Sequence, residues 1–364
     1  MESCASPLLP SASPPSAQLL EVDDALLDAI REGGVVIKGG DDDEAVLCTR
    51  DVTYAVKRVD STNTMWLLRP GEREALVGGR EDSVARVAAV ANSHLELVEV
   101  APRLERLRAM LLRHPYAGPD EAPDAAGLVG HAAVRASVQA SDTQLSRALR
   151  QLGAFELDGA LRVASSAYQH DVLNRLVWTA FSEGYELSAV PEVGVCEAMN
   201  KDEAVRSEMV RHVLLEFSEP DSDVLGGTWS LDLGKVATAY AAELVAEKPR
   251  WALDQLLAEW KERMPEGMPV SAELLRGLAL LEPRKEAPDV MEAKAFCEAA
   301  LPRAPAQRFA ALFAERARWA WEDLGPYVEP LDVGTPDTKT DVLLMRYTRK
   351  IQPDADKPPL YGKR

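Results

Sequence analysis

Four consecutive acidic residues, Asp41-Asp42-Asp43-Glu44, form the densest group of potentially reactive side chains in the sequence. Clustered carboxylates can bind Mg²⁺ or act as general acid and base, which would suit a hydrolase. The cluster follows Gly39-Gly40, however, and short apolar segments typical of β-strands flank it on both sides. We therefore favour a solvated hairpin tip and keep a carboxylate-dependent hydrolase as the weakest of three hypotheses.

The other residue types that support catalysis lack a recognised arrangement. The five histidines include no HExxH pair, and the four cysteines show no CxxC spacing. Gly33-Gly34 and Gly226-Gly227 lack the Lys and Ser or Thr of a phosphate-binding loop, and no GxSxG sequence occurs. We therefore predict no catalytic residue, no cofactor, no metal site and no enzymatic activity.

Basic residues concentrate at the C-terminal end. The chain has a net charge of −18, whereas residues 339–364 contain seven basic and three acidic residues, a net charge of +4 that leaves −22 for the rest. Because net negative charge repels nucleic acid, any contact with DNA should be local and weak. The residues predicted to contact DNA are Arg346, Arg349, Lys350, Lys363 and Arg364.

Arg147 and Arg150 are the next candidates for DNA contact. Ser141-Asp142-Thr143-Gln144 is a capping box, a pattern that begins a helix by satisfying two free backbone amides. Leu145 and Leu149 would form the buried face of that helix and leave the two arginines outside, where a recognition helix contacts phosphates. Ordinary helix surface or a protein contact is the alternative, and the surrounding acids favour it.

The elements that must position these residues begin with a β-rich segment. Residues 1–18 predict a disordered leader, and apolar spacing over residues 19–30 predicts a short helix. Short β-type runs then predict an antiparallel meander, with a turn at residues 60–63. A sheet this small leaves unpaired edges that invite strands from another chain. The residues predicted to bind that partner are Val35, Val36, Ile37, Ala45, Val46, Leu47, Thr53, Tyr54 and Val56.

Helices and short hairpins follow the β-rich segment. Asp158-Gly159, the preferred pair for a type I′ turn, lies between two apolar runs just after the capped helix. Helix, turn, capped helix and hairpin are the order of a winged helix-turn-helix, and similar units start roughly every 50 residues. One later unit is expected to include a helix over residues 274–280.

These patterns predict an α+β chain with no membrane span, in which a β-rich barrel module completed by a partner precedes tandem winged-helix domains. The predicted domains are a leader over 1–18, a β-rich partner-binding module over 19–119, a first winged-helix region of one or two units over 124–246, a winged helix over 250–302, and a C-terminal winged helix with a basic tail over 305–364.

Several segments resemble one known family in their order and spacing. They are Val35-Val36-Ile37-Lys38-Gly39, Ala45-Val46-Leu47-Cys48 with Thr53-Tyr54, His114-Pro115-Tyr116-Ala117-Gly118-Pro119, Pro265-Glu266-Gly267-Met268 with Leu275-Arg276-Gly277-Leu278-Ala279-Leu280, and Arg308-Phe309 through Tyr327. Over about residues 20–350 the chain resembles the Dcc-type sister chromatid cohesion subunit of the alternative, Ctf-type replication factor C clamp loader.

The resemblance implies a nuclear, non-ATPase subunit of a complex that acts on the PCNA sliding clamp during DNA replication in the cell cycle. It implies that the N-terminal strands combine with the small Ctf subunit and the C-terminal tail of the large Ctf subunit. It also implies that the winged helices contact the leading-strand polymerase epsilon and DNA. The alternative, from a different class, is a winged-helix DNA-binding regulator.

Overall fold

The chain is a mixed α+β protein. A computed structural model describes residues 17–40, 43–69, 73–75, 81–83, 86–120, 127–203, 205–219, 227–284, 286–332, 336–352 and 358–364. The chain divides into two compact units, of which the first comprises Met1–Leu104 and Arg135–Leu145 and the second comprises Glu105–Val134 and Ser146–Arg364. Residues 1–16 of the predicted leader lie outside the described residues. No helix in the described ranges is long and apolar enough to cross a membrane.

An open five-stranded sheet dominates the first unit. In chain order, its elements are β1 (Leu19–Leu20), α1 (Asp24–Arg31), β2 (Val36–Lys38), β3 (Val46–Cys48), β4 (Thr53–Arg69), β5 (Arg73–Ala75), β6 (Glu81–Ser83) and β7 (Arg86–Glu99). The sheet order is β1-β7-β4-β3-β2, and β5 and β6 form a separate two-stranded pair. All neighbours in the large sheet are antiparallel except β1, which lies parallel to β7.

Residues 19–30 do not form the single predicted helix. Leu19–Leu20 instead pair with β7, and the helix begins only after Asp23, whose carboxylate accepts a hydrogen bond from Leu26 N at 2.8 Å. An Asp at this N-cap position satisfies a free amide of the first turn and fixes where the helix starts. Leu19 and Leu20, which precede this helix start, therefore pair with β7 in the sheet.

The predicted turn at residues 60–63 is also wrong. β4 runs through this segment and pairs with β7 on both sides of an irregularity between Asp60 and Met65. A bulge-like irregularity accommodates turn-forming residues inside a strand without ending it. β3 pairs with β4 only from Thr53 to Ala55, so from Lys57 onward the only strand beside β4 in the described residues is β7, and we call this part the ribbon of β4 and β7.

The predicted capping box is confirmed, and it has a third member. Gln144 N donates to Ser141 Oγ at 3.2 Å, while Gln144 Oε1 accepts from Ser141 N at 3.1 Å. The same Gln144 oxygen accepts the hydroxyl of buried Thr53 at 2.6 Å, and Thr53 Oγ1 in turn accepts Ser141 N at 2.9 Å. A helix start is therefore hydrogen-bonded to the first residue of β4.

Two further side chains extend this buried polar network. Lys38 Nζ donates to Ala140 O at 2.7 Å, and Gln139 Nε2 donates to Glu44 O at 2.7 Å. A buried ammonium or amide must be hydrogen-bonded to avoid a large desolvation penalty. The segment from Gln139 to Gln144 therefore supplies hydrogen-bond partners for Lys38, Thr53 and the Glu44 carbonyl.

After β7 the chain alternates helices with short strands. The elements are α2 (Glu105–Leu111), α3 (His131–Ser137), α4 (Asp142–Gln151), β8 (Ala154–Leu157), β9 (Ala160–Val163), α5 (Ser166–Ser182), β10 (Val190–Pro191), α6 (Glu192–Glu203), α7 (Ser207–Phe217), β11 (Thr228–Trp229), α8 (Leu233–Glu247), β12 (Arg250–Ala252), α9 (Leu253–Arg263), β13 (Ala279–Arg284), β14 (Ala287–Ala295), α10 (Pro305–Glu315), β15 (Arg318–Ala320), α11 (Trp321–Val328), α12 (Thr340–Tyr347), β16 (Thr348–Ile351) and β17 (Leu360–Lys363).

The short strands form small separate sheets. β8 pairs with β9 and β10 with β11, while two three-stranded sheets have the orders β12-β14-β13 and β15-β17-β16. The predicted hairpin at Asp158-Gly159 is confirmed, since these residues join β8 to β9 with φ of 52° and 77°, as a type I′ turn requires. Hairpins follow helices at β8–β9, β13–β14 and β16–β17, whereas β10 and β11 pair across α6 and α7. The assignment of each unit as a winged helix stays a prediction.

The predicted helix over residues 274–280 is wrong. A 3₁₀ turn, Ala272–Leu275, ends at once, and β13 begins at Ala279. Between them Gly277 has φ of 85°, a left-handed conformation that glycine adopts at no steric cost and that a continuing helix excludes.

One buried arginine holds the C-terminal core together. Arg308 Nε donates to Pro302 O at 2.6 Å, and its two Nη groups donate to the side chain and carbonyl of Glu298 and to the carbonyls of Leu301 and Tyr327. A buried guanidinium is tolerated only when its donors are satisfied in this way.

His212 on α7 is a buried titratable group in the second unit. Its ring stacks on Phe155 with 4.8 Å between centroids, and its Nε2 lies 3.3 Å from Glu216 Oε2. Burial lowers the pKa of His212 to about 4 and raises the pKa of Glu216. The folded chain therefore holds the imidazole neutral at pH values where an unfolded histidine, with a pKa of about 6.5, is protonated.

Thr53→Val is expected to destabilise the first unit by about 1–3 kcal/mol, because it removes the hydroxyl that bonds both Ser141 and Gln144. Thr53→Ser keeps the hydroxyl and serves as the matched control. Urea unfolding of the full chain measures both variants. Equal unfolding midpoints for Thr53→Val and Thr53→Ser would contradict a role for the hydroxyl.

His212→Gln is expected to change the pH dependence of stability. As pH falls from about 6.5 towards the lowered pKa, the unfolded chain binds a proton that folded His212 does not, so the wild type loses up to about 1.4 kcal/mol per pH unit relative to the variant. Glu216, whose pKa is raised, acts in the opposite direction and is present in both proteins.

Urea unfolding of wild type and variant across pH 7 to 4 measures this difference. Exposed His131→Gln is the matched control and should follow the wild-type curve. Parallel curves for His212→Gln and wild type would show that the buried imidazole does not govern the acid sensitivity.

Candidate partner-binding and nucleic-acid surfaces

β2 is one open edge of the large sheet. It pairs with β3 on one side, and no strand of the described ranges lies on its other side. Val36 and Ile37 on this edge are 51% and 67% exposed. Free backbone groups beside exposed apolar side chains are what a strand from another chain needs in order to add to a sheet.

The other predicted partner-binding residues lie farther inside. Val46, Leu47 and Thr53 are buried, and the strand β3 has neighbours on both sides. Tyr54 and Val56 are half-buried and pair with β7, as do their neighbours on β4. These five side chains therefore support the open edge from within the sheet.

Val35 and Ala45 adjoin the paired strands. Val35 is half-buried just before β2, and Ala45 is exposed just before β3, where its carbonyl accepts Val56 N at 3.3 Å. Of the nine predicted residues, the structure therefore places Val36 and Ile37 where a partner strand can reach both backbone and side chain.

The ribbon of β4 and β7 offers a second open edge that sequence reasoning missed. From Lys57 onward β4 has no neighbour on the β3 side within the described residues, and Trp66 and Leu67 are 56% and 54% exposed there. The apolar run around Trp66 was the available signal. The exposure of Trp66 depends on how far along β4 the pairing with β3 extends, and sequence patterns do not predict that length.

The acidic cluster at residues 41–44 lies only partly within the described residues. Asp41 and Asp42 fall outside them. Glu44 forms an ion pair with Arg103 at 2.9 Å between Oε2 and Nη2, and Asp43 is exposed. The Glu44 carboxylate is therefore part of a surface ion pair in the first unit.

The predicted DNA-binding residues lie around the sheet β15-β17-β16. Register places Arg349 opposite Gly362 and Lys350 opposite Tyr361, so these two basic residues point to opposite faces. Lys363, opposite Thr348, shares the face of Lys350. The C-terminal basic residues are thus divided between the two faces of one small sheet.

Two of the five predicted residues already have partners within the chain. Arg346 forms an exposed ion pair with Asp337 at 3.4 Å. Arg364 Nη1 donates to Met345 O. Exposed pairs of this kind are weak, so both cations retain most of their charge towards solvent.

Arg318 is a basic residue that sequence reasoning missed. It lies opposite Gly362 on the other side of the central strand, so Arg318 and Arg349 flank this glycine on one face. Both are exposed, and neither has a carboxylate within ion-pair distance among the described residues. The sequence signal was the alternation of a charged residue, Arg318, with an apolar one, Trp319, which is typical of a strand. Only the register of the sheet shows that Arg318 lies close to Arg349.

Of the two arginines on α4, only Arg150 is fully exposed. Arg147 Nη2 donates to Asp332 O at 3.0 Å, and the predicted buried face of Leu145 and Leu149 is confirmed. Arg147 therefore has a hydrogen-bond partner within the second unit, whereas the side chain of Arg150 is exposed to solvent.

The chain is similar throughout to proteins of one family. The family model described as sister chromatid cohesion protein Dcc1 matches residues 17–328. The sister chromatid cohesion protein DCC1 of Danio rerio is 30% identical over 346 residues, which cover 91% of this chain and 85% of that protein. The Homo sapiens protein of the same name is 29% identical over 322 residues, covering 86% of this chain and 80% of that protein.

A distant relative extends the same match. The Saccharomyces cerevisiae sister chromatid cohesion protein DCC1 is 23% identical over 364 residues, which cover 92% of this chain and 94% of that protein. The family model includes the large sheet and Arg318 but ends before α12, so the predicted DNA-binding residues from Arg346 onward lie beyond it. With the resemblance in the sequence confirmed over most of its length, this chain belongs to the Dcc1 family of sister chromatid cohesion proteins.

Proposed function

We propose that this chain is a non-catalytic assembly subunit of an alternative, Ctf-type clamp loader that acts on the PCNA sliding clamp at replication forks in the nucleus. The observation that carries the proposal is the open first unit, whose sheet has one free edge at β2 and another along β4 beyond Lys57. Family membership supports the role in sister chromatid cohesion.

The partners that fit these edges are extended segments of other chains. In the proposal, the small Ctf subunit and the C-terminal tail of the large Ctf subunit add strands beside β2 and β4 and complete a barrel. Backbone hydrogen bonds would provide affinity, and exposed Ile37 and Trp66 would provide specificity. Closing a sheet into a barrel removes the edges that otherwise promote aggregation.

The second unit would face the replication fork. Its alternating helices and hairpins, as winged helices, would contact the catalytic subunit of polymerase epsilon and, weakly, DNA. The chain would contribute no ATP turnover, since its sequence contains no phosphate-binding loop, and the motor subunits of the loader would supply it.

A second candidate function is a winged-helix DNA-binding regulator. The observation that favours it is the pair of exposed arginines, Arg318 and Arg349, on one face of the C-terminal sheet. A regulator would show sequence preference, whereas phosphate contacts alone give a strong salt dependence and no preference. Binding to duplexes of different sequence therefore separates the two functions.

Ile37→Glu combined with Trp66→Glu is expected to weaken assembly with the small Ctf subunit and the large-subunit tail by about tenfold or more, because both edges would carry unpaired charge at a buried contact. Co-purification and titration of the full chain with both partners measure this. Leu215→Glu, at a 57% exposed position of the second unit, is the matched control and should assemble normally. Wild-type affinity of the edge variant, with circular dichroism unchanged, would contradict the proposed edges.

Arg318→Gln combined with Arg349→Gln is expected to reduce the slope of log affinity against log salt for a duplex by about 2, because two phosphate contacts are lost. Fluorescence anisotropy with a labelled mixed-sequence duplex at several salt concentrations measures the slope. Lys350→Gln combined with Lys363→Gln changes the same charge on the opposite face and is the matched control. If the salt slope fell only in the variant that lacks Lys350 and Lys363, DNA would contact the lysine face of the sheet and not the arginine face.

A further inference from the structure

Three potential metal ligands meet beside the edge strand β1. His94 Nε2 lies 3.3 Å from Glu96 Oε1 and 3.9 Å from Glu21 Oε2, and one donor atom from each residue lies within 4.8 Å of the others. His94 and Glu96 are alternate residues of β7 and so share a face of the sheet. Glu21 follows β1, and Glu21 N donates to Leu95 O at 2.9 Å, which places Glu21 beside Glu96.

The spacing of these atoms suits a small divalent cation. Zn–N and Zn–O bonds of about 2.0–2.2 Å put neighbouring tetrahedral ligands roughly 3.4 Å apart. The distance between His94 and Glu96 already matches this value, the distance between His94 and the exposed Glu21 side chain exceeds it by about half an ångström, and all three donor atoms lie within 4.8 Å of one another. An imidazole with two carboxylates favours Zn²⁺ over Mg²⁺, which prefers an all-oxygen shell.

No fixed cation among the described residues neutralises the two carboxylates. Lys57 lies opposite Glu96 on the neighbouring strand but forms no ion pair with it, and Arg58 pairs instead with Asp60 at 2.9 Å. A divalent cation would therefore meet a fitting donor set whose two carboxylates have no Lys or Arg ion-pair partner among the described residues.

We propose that Glu21, His94 and Glu96 form a binding site for a divalent transition metal, with Zn²⁺ as the best match, that fastens β1 to β7. β1 has only two residues and is the edge of the sheet opposite β2, so it is held by few backbone bonds. A metal bound by ligands from both strands would add a cross-link at this point. Three protein ligands also leave a fourth position for water or for a ligand from another chain.

Titration of the metal-stripped full chain with zinc chloride alone tests the proposal. Isothermal titration calorimetry is expected to show one more zinc equivalent in the wild type than in His94→Ala, and at least tenfold weaker binding at that site in Glu96→Gln. Glu99→Gln changes the same charge on the same strand but the opposite face, and it should bind as the wild type does.

A second readout is thermal unfolding with and without zinc. Zinc should raise the unfolding temperature of the wild type and of Glu99→Gln but not that of His94→Ala, because a ligand that binds only the folded state stabilises it. Circular dichroism without metal checks that every variant is folded. Equal stoichiometry and affinity in wild type, His94→Ala and Glu96→Gln would overturn the proposal and leave His94 as an ion-pair partner of the two glutamates.

Discussion

The hydroxyl of Thr53 is the contact on which the first unit depends. Through it the start of β4 is hydrogen-bonded to Ser141 and Gln144, which lie 88 and 91 positions later at the beginning of α4. A five-stranded sheet with open edges needs packing or hydrogen bonds to a neighbouring segment for its stability, and this connection supplies part of them. Two more hydrogen bonds reinforce the same connection, one from buried Lys38 on β2 to Ala140 O and one from buried Gln139 to Glu44 O just before β3.

The buried hydrogen-bonded residues and the exposed apolar edges occupy different parts of one sheet. The interior residues of β3 and early β4 are buried and hydrogen-bonded, so they hold the sheet in shape. The edge at β2 and the ribbon of β4 and β7 keep exposed apolar side chains beside unpaired backbone. An edge held rigid before binding loses less conformational entropy when a partner strand adds to it.

Local chemistry explains which elements could be predicted from the sequence. The capping box at Ser141 and the Asp158-Gly159 turn were predictable because a few adjacent residues determine their geometry. Residues 60–63 have turn-forming composition, yet β4 pairs with β7 on both sides of them, so they form an irregularity within the strand and not a turn that ends it. Residues 274–280 have helical spacing, but the positive φ of Gly277 ends the turn.

The surfaces were harder to predict than the elements because they join distant residues. Arg318 meets Arg349, and Glu21 meets His94, only through strand register, which depends on the packing of the whole sheet. Composition shows that basic residues concentrate near the C-terminus, but it does not show which of them lie on each face of the sheet β15-β17-β16. Sequence patterns of period two or 3.6 describe one element at a time.

The hydrogen bonds of Arg308 determine how the C-terminal core responds to shortening of the chain. Its acceptors come from Glu298 to Pro302 on one side of it in sequence and from Tyr327 on the other. A stop codon before Tyr327 would remove one acceptor and much of the surrounding apolar cluster, and it would leave a poorly satisfied cation in a partly filled core. Shortening the chain in this stretch therefore destabilises the whole C-terminal core, because Arg308 connects residues on both sides of it.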